Sequence, residues 1–298
     1  MRDASFTGNS CIDTGSCSWV SSHRFPLSRP NRVHSDAMSE NPVSAVLRSG
    51  LFTRIVGGRL LFFQELTSTM DEAARRAEAG TEEGTVVVAE SQTAGRGRFG
   101  RTWVSPKGNL YLSLVFRPTQ EVLPQLTILS GVAVVRAIRK TTGLAPRIKW
   151  PNDVLVNDKK VAGILVESVV AGEDVYYAVV GIGVNIRLDA EDTHNLGGLA
   201  IGLETAAGRP IAREDVLRQL LLELDVLYLQ ATQSRPPLEE WVALLETLGQ
   251  RVRVDWREET WVGQAERVDQ IGNLLLRLDD GRLVTLTAGD VTLHDSAS

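Results

Sequence analysis

Cysteine is nearly missing from this chain of 298 residues: Cys11 and Cys17 are the only two, both near the N-terminus. They support neither a disulfide framework nor a CxxC metal spacing, so a reducing cytoplasm is the expected location. Histidine is scarce as well, and His23, His34, His194 and His294 are too scattered to suggest a metal site. No apolar run approaches the roughly 18 residues that cross a bilayer, and the start lacks the apolar core of a signal peptide. Nor is either charge in large surplus. A net charge of −5 gives no general attraction to nucleic acid or an anionic membrane.

What is present is a hydrophobic content of 43%, ordinary for a chain with a sizeable core. The length suits one large domain or two smaller ones. The charge is uneven: residues 91–120 carry Arg96, Arg98, Arg101, Lys107 and Arg117 and no acid. A local cationic patch on an acidic chain fits a small anionic ligand better than a polynucleotide track.

Nine serines and no hydrophobic periodicity in residues 1–40 predict a disordered tail, drawn here over 1–45. Met38-Ser39-Glu40 reads as an alternative translation start. A globular pattern begins with a strand at Leu60–Glu65. A helix follows on Met70, Ala73, Ala74 and Ala77, capped by Ser68 or Thr69 with Asp71 or Glu72 behind, and stopped by Gly80. Thr85–Glu90 and Asn109–Arg117 read as strands, and Leu123–Thr142 as a helix apolar over most of its surface, hence buried. Val154–Val156, Val161–Val169 and Val175–Ile186 then form an antiparallel meander, with the helices expected on one face. Arg187–Gly202, polar and glycine-rich, predicts a mobile lid. Helices are expected near 213–231 and 237–248, the second lined by Leu238, Trp241, Val242, Leu245 and Leu248. Five short strands after Gly249, with a turn at Asp279-Asp280-Gly281, predict a small β-barrel docked on the main domain. The expected fold is α+β. Residues 46–248 form a mixed, mainly antiparallel sheet with helices packed on it, and residues 249–298 form the barrel.

Two segments carry chemistry. Gly95-Arg96-Gly97-Arg98-Phe99-Gly100-Arg101 is a flexible cationic loop whose glycines let backbone N–H groups approach an anion. It matches G-x-G-x-x-G after a strand, but a dinucleotide fingerprint must open a helix and find an acid about twenty residues on. Here Arg101–Asn109 is not helical, and the next acid after Glu90 is Glu121. A Walker loop fails for want of Lys-Ser/Thr. The plain alternative is a solvated arginine-rich loop. Three glycines cost backbone entropy on ordering, which favours a loop that orders over a phosphate-bearing ligand. The second segment, Lys149-Trp150-Pro151-Asn152-Asp153, is a tight turn holding an amide and a carboxylate beside a lysine.

Other motifs join these: Ser68-Thr69 at a helix start, Gln92-Thr93-Ala94 ahead of the loop, Lys160-Val161-Ala162-Gly163-Ile164-Leu165-Val166-Glu167, and Gly181-Ile182-Gly183-Val184-Asn185. Together they make the chain resemble the biotin protein ligases over roughly 60–295. The resemblance implies a class II synthetase-like catalytic domain and an SH3-like C-terminal barrel. It implies biotin as substrate, ATP with Mg²⁺ as co-substrate and activator, and biotinyl-5′-adenylate as intermediate. The acceptor would be a lysine of a biotin carboxyl carrier protein or domain of a biotin-dependent carboxylase.

The resemblance also distributes roles. It places Ser68, Thr69 and Gln92, with backbone groups near Gly163, at the ureido head of biotin, and Trp103 and Ile164 along its tail. Gly95, Arg96, Gly97 and Arg98 border the carboxylate and phosphates, where guanidinium forks suit spreading negative charge. Lys160 would bridge carboxylate and α-phosphate and, with Arg98, stabilise charge at phosphorus. Arg101, Lys149, Asn152, Asp153 and Asn185 fall to the nucleotide, and Asp153 also to Mg²⁺. On their surroundings alone, Lys160 is a solvated turn lysine, Asn152-Asp153 a plain turn, Asn185 a strand cap and Lys149 a structural residue. Trp150, Phe99, Trp256 and Trp261 read as packing. Met70 stands where the family often has Asn; a thioether cannot replace an amide's hydrogen bonds, and packing is its expected role.

Members of that family that repress genes carry an N-terminal winged helix. About twenty residues separate Met38 from Leu60, too few for one, and residues 1–59 lack its periodicity. No DNA-reading module, nucleic-acid partner or membrane partner is therefore expected. The resemblance allows a homodimer through sheet edges. A lipoate or octanoate ligase or transferase of the same fold is the alternative reading, disfavoured by Gln92 and the complete loop motif.

Overall fold

The computed structural model describes residues 41–293 apart from Leu196 and Arg257. Cys11, Cys17, His23, His34, His294 and the tail up to residue 40, with Met38, lie outside the described residues. Residues 42–45, assigned above to the tail, instead open a helix, α1 (Pro42–Ser49). Asn41 Oδ1 accepts the Ser44 N–H at 2.8 Å, and proline fills the first helical position, where its missing N–H costs nothing. Val43 and Val46, three apart, face the core.

Seven strands form the main sheet: β1 (Leu60–Leu66), β2 (Val86–Gln92), β3 (Leu110–Phe116), β4 (Arg147–Lys149), β5 (Asp153–Val156), β6 (Lys159–Ala171) and β7 (Asp174–Val184). Their order is β1-β2-β3-β7-β6-β5-β4. The β1–β2 pair is parallel and the other pairs are antiparallel. A parallel pair needs a crossover, and α2 (Thr69–Glu78) supplies it. Asn157 and Asp158, at φ 51° and 59°, make the two-residue link between β5 and β6 that the twist of a hairpin favours.

Side chains alternate across the strands. Val86, Val88, Leu112, Leu114, Val180 and Ile182 face one core, which α3 (Gln125–Thr142) and α6 (Arg213–Ala231) complete. Val87, Val115, Tyr177 and Val179 face a second, smaller core under Met70, Ala73 and Ala77 of α2. Helices therefore cover both faces, not the one face expected. The crossover between parallel strands takes α2 to the opposite side.

After β7 come α4 (Ala190–Asn195) and α5 (Leu203–Ala207). Beyond α6 lies α7 (Leu238–Leu244), shorter than the predicted 237–248. Past it Leu245 bridges Ile148, and the Glu246 N–H donates to Ile148 O at 3.0 Å. The open edge of β4 draws the chain out of the helix. A five-stranded antiparallel sheet closes the chain: β8 (Arg251–Trp256), β9 (Glu259–Val268), β10 (Leu274–Leu278), β11 (Leu283–Leu286) and β12 (Asp290–Leu293), in the order β11-β10-β9-β8-β12. It docks on α3 and α7 through Gly272. The Gly272 carbonyl accepts the indole N–H of buried Trp150 at 2.8 Å, and a Cβ there would meet Ile128 at 3.2 Å.

Candidate active site

The arginine-rich segment is not a shapeless ribbon. Trp103 N donates to Gly95 O (2.9 Å), Arg96 bridges Thr102, and Gly97 N donates to Arg101 O (2.7 Å), making a short hairpin over 95–103. Phe99 and Gly100 turn its tip at φ 57° and 72°. Phe99 is 56% exposed there, so it does not pack as expected. A Cβ at Gly95 would sit 2.6 Å from Trp103 O, so glycine is demanded by the hairpin itself; at Gly97 the nearest atom would be 3.7 Å away. Gly97, which the fold does not demand, lines the cavity beneath.

At one end of that cavity a relay of hydroxyls and an amide is laid down by the start of α2, the end of β2, β3 and the loop at Ser105. Ser68 caps α2, its Oγ accepting Met70 N at 3.2 Å. Gln92, at the end of β2, takes both the N–H and the Oγ1–H of Thr69 on Oε1 (2.8 and 3.1 Å). Ser113 Oγ donates to Thr69 Oγ1 at 2.8 Å, and Gln92 Nε2 donates to Ser105 Oγ at 3.0 Å. One N–H of Gln92 and one lone pair of Thr69 Oγ1 remain uncommitted by this count of donors and acceptors. Met70 also lines the cavity; it is buried against Gly181, where a Cβ would lie 2.5 Å from its sulfur. Packing is the role it has.

The floor comes from β6 and β7. The indole of Trp103 lies on two glycines: a Cβ would meet it at 2.5 Å on Gly183 and 2.9 Å on Gly163. Lys160 Nζ stands 5.0 Å from the centre of that ring and 2.7 Å from Asp153 Oδ1. The Lys160 backbone is held on both sides, its N–H given to Leu199 O (2.9 Å) and its carbonyl taken by Ile201 N (3.0 Å). Segment 187–202 is thus fastened beside Lys160 and includes α4; it is not the free lid predicted.

Cations gather at the other end. Arg98 Nη1 donates to Asn152 Oδ1 (3.1 Å) and Gly289 O (3.4 Å), and Arg101 pairs with Asp290 of β12. Burial lowers the Arg98 proton affinity from the ordinary arginine value; Asp153 opposes the shift and Arg101 adds to it. Arg96 is the opposite case. Its fork on Glu167, with Asp71 as a second partner, raises its pKa against the opposing effect of burial.

One cavity therefore brings together Ser68, Thr69, Gln92, Arg96, Gly97 and Arg98 with Arg101, Trp103, Asn152, Asp153, Lys160 and Gly163. It adjoins a second cavity, between α3, α7 and the C-terminal sheet, across the shared residues Arg98, Asn152, Ile164 and Leu165. Gly95, the first residue of the hairpin, lies outside the lining. Lys149 also lies outside it, on β4, where its charge acts on Glu246. Asn185 is 4% exposed and bonded to Val161 O, Lys160 O and Leu203 N, a brace under Lys160 with no face on the cavity. The sequence pointed to Asp71 only as a helix-cap acid and gave Ser113, Tyr111, Glu167 and Asp290 no place at the site. A serine amid the apolar run of β3 was a readable signal; Asp290, far along the chain, gave none.

The Biotin/lipoate A/B protein ligase family matches residues 61–185, and the Biotin protein ligase C terminal domain matches residues 247–293. The bifunctional ligase/repressor BirA of Bacillus subtilis (strain 168) is 37% identical over 79% of this chain and 74% of its own length. The chain belongs to the biotin protein ligase family. A biotin–[acetyl-CoA-carboxylase] ligase of Mycobacterium tuberculosis is 33% identical over 76% of this chain and 85% of its own length. A biotin protein ligase from Aquifex aeolicus, solved in complex with biotin and ATP, superimposes with a TM-score of 0.67 at 28% identity. That match covers 80% of this chain and 100% of that one. These relatives favour biotin over the lipoate alternative. Among the described residues, no helix is long and apolar enough to cross a membrane.

Proposed function

We infer that the chain is an ATP-dependent biotin protein ligase, which forms biotinyl-5′-adenylate and transfers biotin to a lysine of a carboxylase carrier domain. The observation carrying this reading is the common cavity: a neutral hydrogen-bonding relay at one end, Lys160 between, and Arg98 and Arg101 at the other. The relay suits a ureido ring, which needs both donors and acceptors. Ser68, Thr69 and Gln92 hold that head, and Trp103 with Ile164 flanks the aliphatic tail. The carboxylate oxygen of biotin attacks the α-phosphorus, a P–O bond forms, and the bond to the β-phosphate oxygen breaks, releasing pyrophosphate.

Two anions must be brought together for that step, and cations lower the repulsion. Lys160 exchanges Asp153 for the carboxylate and α-phosphate oxygens. Arg98 and Arg101 exchange Asn152, Gly289 O and Asp290 for phosphate. In the second step a neutral amine of the carrier lysine attacks the acyl carbon. The N–C bond forms, the acyl C–O bond breaks, AMP leaves with both electrons of that bond, and the proton lost by the amine passes to solvent. Mg²⁺ would screen the phosphates. Asp153 fits it with one carboxylate, the remaining oxygens coming from nucleotide and water, as is common for this ion. No cluster of three metal-binding side chains exists among the described residues, which suits an ion arriving with ATP.

Biotin-dependent exchange of labelled pyrophosphate into ATP tests the reading. Biotin supports exchange and lipoate does not. Exchange with lipoate alone would replace biotin by lipoate.

A further inference from the structure

Four hydrogen bonds from the guanidinium of Arg96 go to the protein. Nε and Nη2 form a fork on Glu167 (3.0 and 2.8 Å), while Nη1 reaches Asp71 (2.6 Å) and Ser68 Oγ (3.3 Å). Three separate elements meet there: the 95–103 hairpin, the first turn of α2, and β6. Glu167 lies two residues beyond Leu165, on the same face of β6 as that wall of the cavity. The hairpin's other fastenings differ in kind. Arg98 and Arg101 hold Asn152 and Asp290, which line the cavity and face anionic ligands entering it. Arg96 itself lines the cavity, but Asp71 and Glu167 do not, so an entering ligand meets an arginine already held from outside it.

We propose that Asp71 and Glu167 are positioning residues that hold Arg96 as a permanent anchor of the hairpin, so that the adenylate stays in the cleft until the carrier amine arrives. This rests on the ligase reading above. It gives Arg96 a different task from Arg98 and Arg101: its charge is spent on the protein and not on the substrate.

The test is the double variant Asp71→Asn/Glu167→Gln, with both singles. Its posts are 56% and 45% exposed, so the fold survives, as a thermal melt verifies. Single-turnover formation of biotinyl-adenylate stays within about twofold of wild type. Dissociation of labelled adenylate from the isolated complex, chased with unlabelled adenylate, rises about tenfold, a size expected for losing several charge-assisted hydrogen bonds. Glu167→Gln, which replaces one accepting oxygen of the fork by an NH₂ group, moves it more than Asp71→Asn, which keeps one accepting oxygen for Nη1 and loses the charge. Arg96→Lys keeps the charge but loses the fork, and releases adenylate as the double variant does. Unchanged dissociation in a folded double variant overturns the proposal. So does an Arg96→Lys that slows formation while retaining adenylate normally, since Arg96 would then serve the substrate directly. Wild-type protein that forms no adenylate would instead overturn the ligase reading, and with it this one.

Discussion

Arg96 closes on Glu167 and Asp71; on the far side of the sheet Arg136 closes on Glu240 of α7 and Glu223 of α6, with Lys140 also on Glu223. The chemistry is nearly the same, an arginine between two acids, but the surroundings are not. The Glu223 side chain is 7% exposed, whereas Asp71 and Glu167 stand half in water. Exposed ion pairs contribute about 0–1 kcal/mol, while removing one partner of a buried pair costs about 3–5 kcal/mol. The cluster at α3 and α6 fixes the scaffold, and the one on the hairpin can be perturbed with little harm to the fold. The two clusters thus differ chiefly in burial.

Substitutions sharpen that contrast. Lys160→Ala strikes chemistry alone: pyrophosphate exchange falls on the order of 10²–10³-fold, as for loss of a charge-stabilising donor, with no change in the melting curve. Normal exchange would remove Lys160 from the mechanism. Glu223→Gln does the reverse. It lowers folding stability by about 2 kcal/mol in a denaturant titration while exchange at low temperature persists. Burial pushes the Glu223 carboxyl upward, but hydrogen bonds from Lys140, Arg136 and Gln219 outweigh it and hold the pKa below the usual carboxylate value. A group depressed in the folded state stabilises above its unfolded pKa and loses that contribution as pH falls through its folded one. The gap between variant and wild type therefore narrows on acidification through the carboxylate range, and a gap constant with pH would contradict this account. Arg98→Gly has the mildest effect: adenylate forms in part but leaves about tenfold faster, biotinylating bystander proteins. Normal retention would mean the hairpin does not need that arginine.

Much of this was legible in the sequence because it rests on local rules. The helix at 213–231 and the strand at 251–256 fell where periodicity put them. The β5–β6 turn, expected over residues 157–160, closes on Asn157 and Asp158 alone, with Lys159 and Lys160 already in β6. At the site, the residues drawn together by the family motifs share one cavity, Lys149, Asn185 and Gly95 excepted. What was illegible depends on contacts distant in sequence. The early end of α7 is set by β4, some hundred residues away, and the pairing of Arg101 with Asp290 by a separate sheet. The anchoring of Lys160 by Leu199 and Ile201 turned a composition that reads as mobile into a fastened segment. Asn185 was open between the nucleotide and a strand cap because a strand-end amide is chemically equipped for either task, and its bonds to Val161, Lys160 and Leu203 depend on chain distant from it.

The indole resting on Gly163 and Gly183 has a consequence for how this cleft can change. Both strands surrender their side chains there, so the base of the site is a single tile shared between them. Any larger residue at either position would eject the ring rather than resculpt the recess. A change in what the enzyme accepts must therefore come from other residues of the lining.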